Sequence, residues 1–141
     1  MYIKQLSVFV ENKPGRLAEI TAAIAEKGIN MRALSVTDTK DFGILRVIVD
    51  KPEEAETVLK NAGLTVSLTN VIAIGIDDKP GAFASAIKIL GDANITVDYI
   101  YAFVPRTEAS AYVILHVGDT EAAVAALTAA GIEIVTSEKI I

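Results

Sequence analysis

The sequence predicts an α+β protein in which one small unit, with strands and helices in the order β-α-β-β-α-β, occurs twice. Three observations support this prediction. A Lys-Pro-Gly turn at residues 13–15 recurs at residues 79–81, an offset of 66 positions. The segment GILRVIVD at residues 43–50 is matched by AYVILHVG at 111–118, an offset of 68 positions. Each Lys-Pro-Gly turn follows alternating apolar residues and precedes residues with helical spacing.

The length and the composition fit two very small domains. A chain of 141 residues, of which 52% are hydrophobic, can bury a core in one ordinary domain or in two very small ones. A period of 66 to 68 residues is too long for a solenoid repeat and suits two copies of a compact domain. We therefore expect one domain at residues 1–69 and a second at residues 70–141.

Several classes of function conflict with the composition. The chain has no cysteine, which excludes disulfides, thiolate metal sites and cysteine nucleophiles. Its formal net charge of -5 argues against a broad basic surface for nucleic acid. No apolar run approaches the roughly 18 to 20 residues that cross a bilayer. Charged residues interrupt the N-terminal segment MYIKQLSVFVENK, which therefore does not resemble a signal peptide, and we expect a cytoplasmic protein.

The first copy shows the pattern of each element in turn. Residues 3–10 are rich in Val, Ile and Phe and predict a strand. A helix with one apolar face follows the turn, and Gly28 ends it. Two strands at 31–37 and 43–49 are joined by a turn signal at 38–41, and a second helix and a short β-branched strand complete the copy. The two helical stripes consist of Leu17, Ile20 and Ile24, and of Ala55, Val58, Leu59 and Ala62.

The second copy repeats these patterns in the same order. Strands are predicted at 70–76, 97–104 and 111–117, and a short strand closes the copy. The two helical stripes consist of Phe83, Ala86, Ile87 and Leu90, and of Ala123, Ala126, Leu127 and Ala130. The two copies together predict a pair of ferredoxin-like domains, each with both helices on one face of a four-stranded antiparallel sheet. Because a domain of this size has a marginal core, we expect the copies to dock rigidly against each other.

The Lys-Pro-Gly junctions are the candidate binding sites. The first N–H groups of a helix have no partner within it and carry the positive end of the helix dipole, so they attract an anion. Gly15 and Gly81 lack the Cβ that would keep a ligand from the backbone. Acidic or amide side chains precede them, so each junction matches both ends of a free α-amino acid. These side chains are Glu11 and Asn12 in the first copy and Asp77 and Asp78 in the second.

An alternative is that Asn12 and Asp78 are ordinary helix caps that bind no ligand. The residues around both junctions nevertheless carry a family resemblance. The segment ENKPGRL at 11–17, followed by an amphipathic helix that ends in GIN at 28–30, resembles the ACT domain. DDKPGAF at 77–83, followed by ANITVDYIYAFV at 93–104, resembles it equally well. Over its whole length the chain is similar to short stand-alone proteins made of two ACT domains and no enzyme.

The resemblance implies a small-molecule regulatory module with a β-α-β-β-α-β fold. ACT domains generally bind amino acids, often between two domains, through the loop after the first strand and the start of the second strand. By position, the resemblance implicates Asn12, Gly15, Arg16, Leu17, Asn30 and Met31 in the first copy, and Asp78, Gly81, Ala82, Phe83, Thr96 and Val97 in the second. We expect Asp78 and Gly81 to face the second strand of the first copy, with Asn12 and Gly15 as a symmetric partner.

The copies differ at two implicated positions, since Asn12 corresponds to Asp78 and Asn30 to Thr96. The two sites therefore need not be equivalent.

Other conspicuous residues favour structural roles. Tyr99, Tyr101 and Phe103 alternate along one predicted strand and share a face, which is more typical of a packing interface than of base stacking. His116 is the only histidine and has no second histidine or cysteine with which to form a metal site. Arg46 is expected on a solvated strand face, and Arg106 in an exposed loop.

Two hypotheses for function remain. In the first, the protein is a non-catalytic regulatory protein that binds a free amino acid between its two ACT domains. In the second, it is an interaction subunit that docks an enzyme through its sheet, without a ligand. Both predict no catalytic residues, no cofactor, no metal, and no nucleic-acid or membrane partner. Both allow an enzyme of amino-acid metabolism as partner and a homodimer. A third hypothesis, nucleic-acid binding, predicts salt-sensitive affinity.

Overall fold

The computed structural model describes residues 2–38, 41–103 and 110–140. Contacts divide the chain into two compact units. The first comprises Lys4–Thr69, and the second comprises Asn70–Ile140 together with the first residues of the chain. Of the sequence-based predictions, those for Arg106, for the end of a strand at residue 104 and for the middle of the 38–41 turn lie outside the described residues.

The first unit has the predicted β-α-β-β-α-β order, and its strands are arranged β2-β3-β1-β4. β3 runs antiparallel to both β1 and β2. The elements are β1 (Ile3–Glu11), α1 (Arg16–Glu26), β2 (Met31–Asp38), β3 (Phe42–Val49), α2 (Pro52–Asn61) and the first residues of β4 (Val66–Asp77).

The second unit repeats this order with the rest of β4, and its strands are arranged β5-β6-β4-β7. All three pairings in this arrangement are antiparallel. Its further elements are α3 (Ala82–Asp92), β5 (Val97–Phe103), β6 (Ser110–Val117), α4 (Thr120–Ala129), β7 (Glu133–Val135) and α5 (Ser137–Ile140). The prediction of two ferredoxin-like α+β domains is therefore confirmed. The short helix α5 was not predicted.

The closing strand of the first unit and the opening strand of the second are one strand rather than two. β4 is continuous over twelve residues, VSLTNVIAIGID. No proline and no turn-forming glycine interrupts the chain around Asn70, so the extended backbone continues through the boundary between the units.

Each unit has a core between its two helices and one face of its sheet. In the first unit, alternate residues of β1 and β3 pack against the buried faces of α1 and α2, as the periodicity of a strand requires. The central residues of this core are Leu6, Val8, Leu45, Val47, Ile24 and Leu59. In the second unit the corresponding residues are Ile72, Ile74, Val113, Leu115, Leu90 and Leu127.

Four residues of the predicted helical stripes are exposed and lie outside these cores: Ala62 and Ala130 at the C-terminal ends of α2 and α4, and Leu17 and Phe83 in the first turns of α1 and α3. Leu17 is 41% exposed and Phe83 is 44% exposed, whereas Ile20 and Ala86 in the next turn are buried. The prediction of a core position was wrong for the same position in both copies. Leu17 and Phe83 lie in the first turns of their helices, and helical side chains lean towards the N-terminus of the helix. They therefore project towards the junction loop and away from the sheet.

The helices of the described residues are all too short or too polar to cross a membrane.

Candidate functional site

The two Lys-Pro-Gly junctions have the same backbone structure. In the first, the N–H of Lys13 donates to the carbonyl of Glu11 over 2.8 Å, and the N–H of Arg16 donates to the carbonyl of Lys13 over 3.2 Å. The first helical bond joins the N–H of Glu19 to the carbonyl of Gly15 over 3.0 Å. The equivalent donors and acceptors in the second junction are Lys79 to Asp77, Ala82 to Lys79, and Ser85 to Gly81, at 2.9, 3.3 and 2.9 Å.

Gly15 and Gly81 occupy the N-cap positions in a left-handed conformation, with φ of 87° and 90°. An added Cβ would meet no other atom within 4 Å at either glycine. Backbone conformation therefore requires glycine here, since non-glycine residues rarely adopt a positive φ. Asn12 and Asp78 lie three residues before these positions, so the alternative that they are the N-cap residues is wrong.

The first turn of each helix presents unpaired backbone donors to the junction. Among the described residues, no backbone acceptor faces the N–H groups of Leu17 and Ala18 in α1, or those of Phe83 and Ala84 in α3. These donors lie at the positive end of the helix dipole, where an anion is stabilised.

Within one unit, the two halves of the implicated site lie at opposite ends of the sheet. β1 and β2 are both antiparallel to β3, so they run parallel to each other. The end of β1 pairs Glu11 with Phe42, whereas the start of β2 pairs Met31 with Val49. These pairs are seven residue steps apart along β3, a distance of roughly 23 Å. The structure therefore does not bring Asn12, Gly15, Arg16 and Leu17 together with Asn30 and Met31 of the same unit.

The second unit has the same arrangement. Asp77 pairs with Ser110 at one end of β6, and Val97 pairs with Val117 at the other. The junction residues Asp78, Gly81, Ala82 and Phe83 are thus separated from Thr96 and Val97.

The start of the second strand differs between the units. In the first unit, the N–H of Asn30 donates to the carboxylate of Asp50 over 2.9 Å, and the N–H of Asp50 donates to the carbonyl of Asn30 over 3.1 Å. In the second unit, the N–H of Gly118 donates to the carbonyl of Thr96 over 3.0 Å. Because Gly118 takes the place of Asp50, no carboxylate side chain faces Thr96 from this position.

Asn12 lies at the rim of a shallow cleft beside the first junction. Its N–H donates to the carbonyl of Asp41 over 3.3 Å. Its side-chain oxygen would lie 3.2 Å from a Cβ added at Gly43, so the amide packs directly over this glycine. Glu11, Lys13 and Phe42 complete the lining.

A second cleft lies beside each junction, where the first strand ends and the turn after the second helix passes. In the first unit it has a volume of about 440 Å³ and is lined by Phe9, Val10, Glu11, Arg16, Glu19, Ile20, Ala23, Phe42, Ala62, Gly63, Leu64 and Thr65. In the second unit a cleft of about 360 Å³ is lined by ten residues, nine of which correspond to members of this set at an offset of 66 or 68; the tenth is Lys79, which corresponds to Lys13. Of these residues, the sequence indicated only Glu11 and Arg16 in the first unit and Asp77 and Ala82 in the second as candidates for binding.

The remaining cleft residues come from distant segments, and no local pattern marks them. The recurrence of most of this lining at the repeat offset is the one signal in the sequence that could have found them.

Charged groups surround the cleft of the first unit. The guanidinium of Arg16 lies 3.2 Å from the carboxylate of Glu19 and 3.9 Å from that of Glu11. Glu11 also pairs with Lys13 over 3.0 Å. The hydrogen bond from Lys13, with the charges of Lys13 and Arg16, holds the pKa of Glu11 below its ordinary value. This carboxylate is therefore ionised at neutral pH.

The aromatic residues of β5 share one face of the second unit, as predicted. Tyr99 stacks on His116 with ring centroids 5.0 Å apart, and Phe103 meets Tyr112 edge-on at 5.5 Å. His116 also pairs through Nδ1 with the carboxylate of Asp98 at 2.9 Å. These contacts give His116 a structural role in the sheet face.

Arg46 is only half-exposed, and its guanidinium donates to the Thr37 hydroxyl over 3.4 Å. No group of three or more His, Cys, Asp or Glu in the part of the chain that the structure describes could hold a metal ion.

Comparisons with known proteins agree with this architecture. A crystal structure of protein BT0572 from Bacteroides thetaiotaomicron has a TM-score of 0.93 and 33% identity over 99% of this chain and 96% of that one. The ligand-free regulatory subunit of aspartate kinase from Thermus thermophilus has a TM-score of 0.70 and 20% identity, covering 91% of this chain and 90% of that one, which shows a common fold.

Among curated proteins, the acetolactate synthase small subunit of Mycobacterium avium is 28% identical over 100 residues, or 69% of this chain. The match spans 60% of that subunit, so this chain corresponds to only part of its length. The family model for the ACT domain pair matches residues 1–140. The chain therefore belongs to the family of ACT domain pairs.

Proposed function

We propose that this protein is a non-catalytic regulatory protein that binds a free amino acid at a site completed by a second ACT domain. The second domain is either the other unit of the chain or a unit of another copy. The observation that carries the proposal is the pair of identical junctions, each with a left-handed glycine and unpaired N–H groups at the start of a helix. Such groups bind a carboxylate, and the neighbouring Asn12 or Asp78 accepts a hydrogen bond from the ammonium group.

The separation of the two site halves within a unit supports a site that needs two domains. In such a site, the second strand of the other domain would pair antiparallel with β2. The start of that strand would then lie beside the end of β2. Because β1 and β2 are parallel, the end of β2 is on the same side of the sheet as the junction that follows β1. The pairing thus supplies the missing half of each site from the partner.

The β2 edge has the surface expected for such a pairing. Within the described part of the first unit, β2 lies next to β3 on one side only. Leu34 and Val36 pair with Val47 and Leu45 on the helix-covered face of the sheet. They are nevertheless 54% and 50% exposed. An edge strand that exposes apolar side chains is a typical site for pairing with another strand.

The relatives support a regulatory role. They include a small subunit of acetolactate synthase and a regulatory subunit of aspartate kinase, each named as part of an enzyme assembly. By analogy, we propose that the partner of this protein is an enzyme of amino-acid metabolism, and that the amino acid changes how the two proteins associate.

A thermal-unfolding screen of the full chain against the common amino acids, each at several millimolar, tests the proposal. A ligand at about 100 times its Kd stabilises the folded state by roughly 2.7 kcal/mol. One or a few amino acids should raise Tm clearly. If none does in a well-folded sample, the proposal is wrong.

A double variant, with both exposed apolar residues of the β2 edge changed, tests the position of the site. Replacing Leu34 and Val36 with lysine should abolish both the pairing of the edge and the stabilisation by the amino acid. Tyr2→Lys is the control, because Tyr2 is also a partly exposed apolar residue, at 37%, and lies outside this edge. Undiminished stabilisation in the edge variant would place the ligand elsewhere.

The second candidate is the ligand-independent interaction subunit, which the exposed β2 edge also favours. It predicts an oligomer or complex that persists at all amino-acid concentrations. Sedimentation velocity with and without the amino acids separates the two candidates, because only the first predicts a change in association.

A further inference from the structure

We propose that the first unit pairs with the first unit of a second copy of this chain, through the face of its sheet that points away from the helices. The centre of the contact is an apolar patch of Phe9, Phe42 and Ile44, and its two ends carry Arg46 and Glu11. This surface does not include the β2 edge, so the inference goes beyond the proposed function.

The register of β1 and β3 places these side chains on one face. Val8 and Leu45 pair directly and belong to the core beneath the helices. Because successive strand residues point to opposite faces, the alternate pairs point away from the helices. The open face of the first unit therefore consists of three cross-strand pairs, which are Ser7 with Arg46, Phe9 with Ile44, and Glu11 with Phe42.

The apolar centre of the open face is exposed in the single chain. Phe9 and Phe42 are each 51% exposed, and Ile44 is half-buried. Phe9 pairs with Ile44, and Phe42 is the next residue of β3 on the same face, so the three side chains form one surface. A contiguous apolar patch with a polar rim marks an interaction site, and buried aromatic residues often dominate the binding energy of an interface.

The two charges determine which partner fits this patch. Arg46 pairs with Ser7, which lies four residues before Glu11 along β1, so the two charges are roughly 13 Å apart on opposite sides of the apolar centre. A second copy whose strands run in the opposite direction brings its Glu11 to Arg46 and its Arg46 to Glu11. The same surface then serves both copies, and the contact closes at a dimer.

The existing contacts of both charged groups are compatible with this pairing. Glu11 contacts Lys13 over 3.0 Å, and the guanidinium of Arg46 donates to the Thr37 hydroxyl over 3.4 Å. A carboxylate accepts several hydrogen bonds and a guanidinium has five donors, so each group can add a partner and keep the one that it has. Packed sheets lie about 10 Å apart, a distance that side chains of this length span from both copies.

The same positions of the second unit carry different side chains. At the repeat offsets, the two phenylalanines are replaced by Gly75 and Ser110, and the arginine by Ile114. Ile114 is buried, and the carboxylate of Glu133 lies over Gly75, because a Cβ added there would be 2.5 Å from it. These positions offer neither exposed rings nor a cation, so the pairing belongs to the first unit.

Sedimentation velocity of the full chain over a range of concentrations measures the pairing. The parent chain should form a concentration-dependent dimer, and no association up to about 1 mM would overturn the proposal. Arg46→Glu brings two carboxylates together at each end of the contact, and Glu11→Arg brings two guanidinium groups together. Because like charges in an interface repel, the dimer Kd of each variant should rise at least tenfold.

A mixture of the two charge variants gives the sharpest test. In a mixed dimer of Arg46→Glu with Glu11→Arg, each end again joins a carboxylate to a guanidinium. The mixture should therefore associate as tightly as the parent chain, although neither variant associates well alone. If the mixture associates no more tightly than either variant by itself, the antiparallel pairing of the open faces is wrong.

Phe9→Ser tests the apolar centre without changing a charge. Tyr2→Ser is its matched control, because Tyr2 is also an exposed aromatic residue, at 37%, and is not part of the open face. The dimer Kd should rise at least tenfold in Phe9→Ser and stay unchanged in Tyr2→Ser. Equal dimer Kd values in the two variants would contradict the proposal.

The lysine variant of Leu34 and Val36 separates the open face from the β2 edge. If association is lost in this edge variant and retained in Phe9→Ser and in both charge variants, the copies associate through the edge and the proposal is wrong. If association is retained in the edge variant and lost in Phe9→Ser, the open face joins the copies. The amino-acid screen tests the proposed function separately, because it measures the stabilisation of the parent chain by a ligand.

Discussion

Replacing two glycines of the second unit with alanine should change stability in opposite directions. Gly81 and Gly91 lie before and near the end of the same helix, α3, and both are exposed. A Cβ added at either position meets no other atom within 4 Å, so neither change creates a clash. The two positions differ in backbone conformation, since only Gly81 has a positive φ, of 90°.

The magnitudes follow from this difference. Forcing alanine into the left-handed region costs about 1 to 2 kcal/mol. The lower entropy of the unfolded chain offsets about 0.4 to 1 kcal/mol of that cost. Gly81→Ala should therefore destabilise the protein by about 1 kcal/mol. Gly91→Ala should stabilise it by roughly 0.5 to 1 kcal/mol, because alanine is favoured over glycine within a helix.

Urea unfolding of the two variants and the parent protein measures both changes, with the free energies taken from midpoints at a common slope. The midpoint should fall for Gly81→Ala and rise for Gly91→Ala. Gly15→Ala should behave like Gly81→Ala, because its φ is 87°. If Gly81→Ala is neutral or stabilising, the left-handed conformation of the junction is not the reason for glycine there. A role in admitting a ligand would then be the better explanation.

Two further predictions concern a helix cap and an ion pair. The Asp119 side chain caps α4 by accepting from the N–H of Ala122 over 3.0 Å, whereas Lys51 at the start of α2 makes no such bond. Asp119→Ala should therefore cost about 1 kcal/mol and Lys51→Asp should gain a similar or smaller amount, both measured by urea unfolding. The pKa of Glu11 is lowered from its ordinary value of 4.5 in the folded protein, so the ionised carboxylate stabilises the folded state. This contribution is fully present at pH values above 4.5 and is lost as the pH falls through the lowered pKa. A carboxyl NMR titration should show this pKa rising towards 4.5 in Lys13→Ala, and an unchanged pKa would mean that Lys13 is not its main cause.

The sequence was sufficient for the order of elements and for the fold of each unit. Strand alternation, helical stripes and the glycines at both junctions are local patterns, and each depends on residues a few positions apart. The family resemblance followed from the same residues. The exposure of Leu17 and Phe83 was missed because the helical stripe gives the direction of a side chain but not the place where the sheet below it ends.

The sequence by itself determined the repeat, the β-α-β-β-α-β order and the membership of the ACT domain pairs. Only the tertiary structure decided that the halves of each implicated site lie at opposite ends of a sheet. It also revealed the cleft of the first unit, which lies where the end of β1 meets α1 and the turn after α2. Strand register and the closure of a cleft result from contacts between residues far apart in the chain, and the periodicity of a single segment carries no information about them.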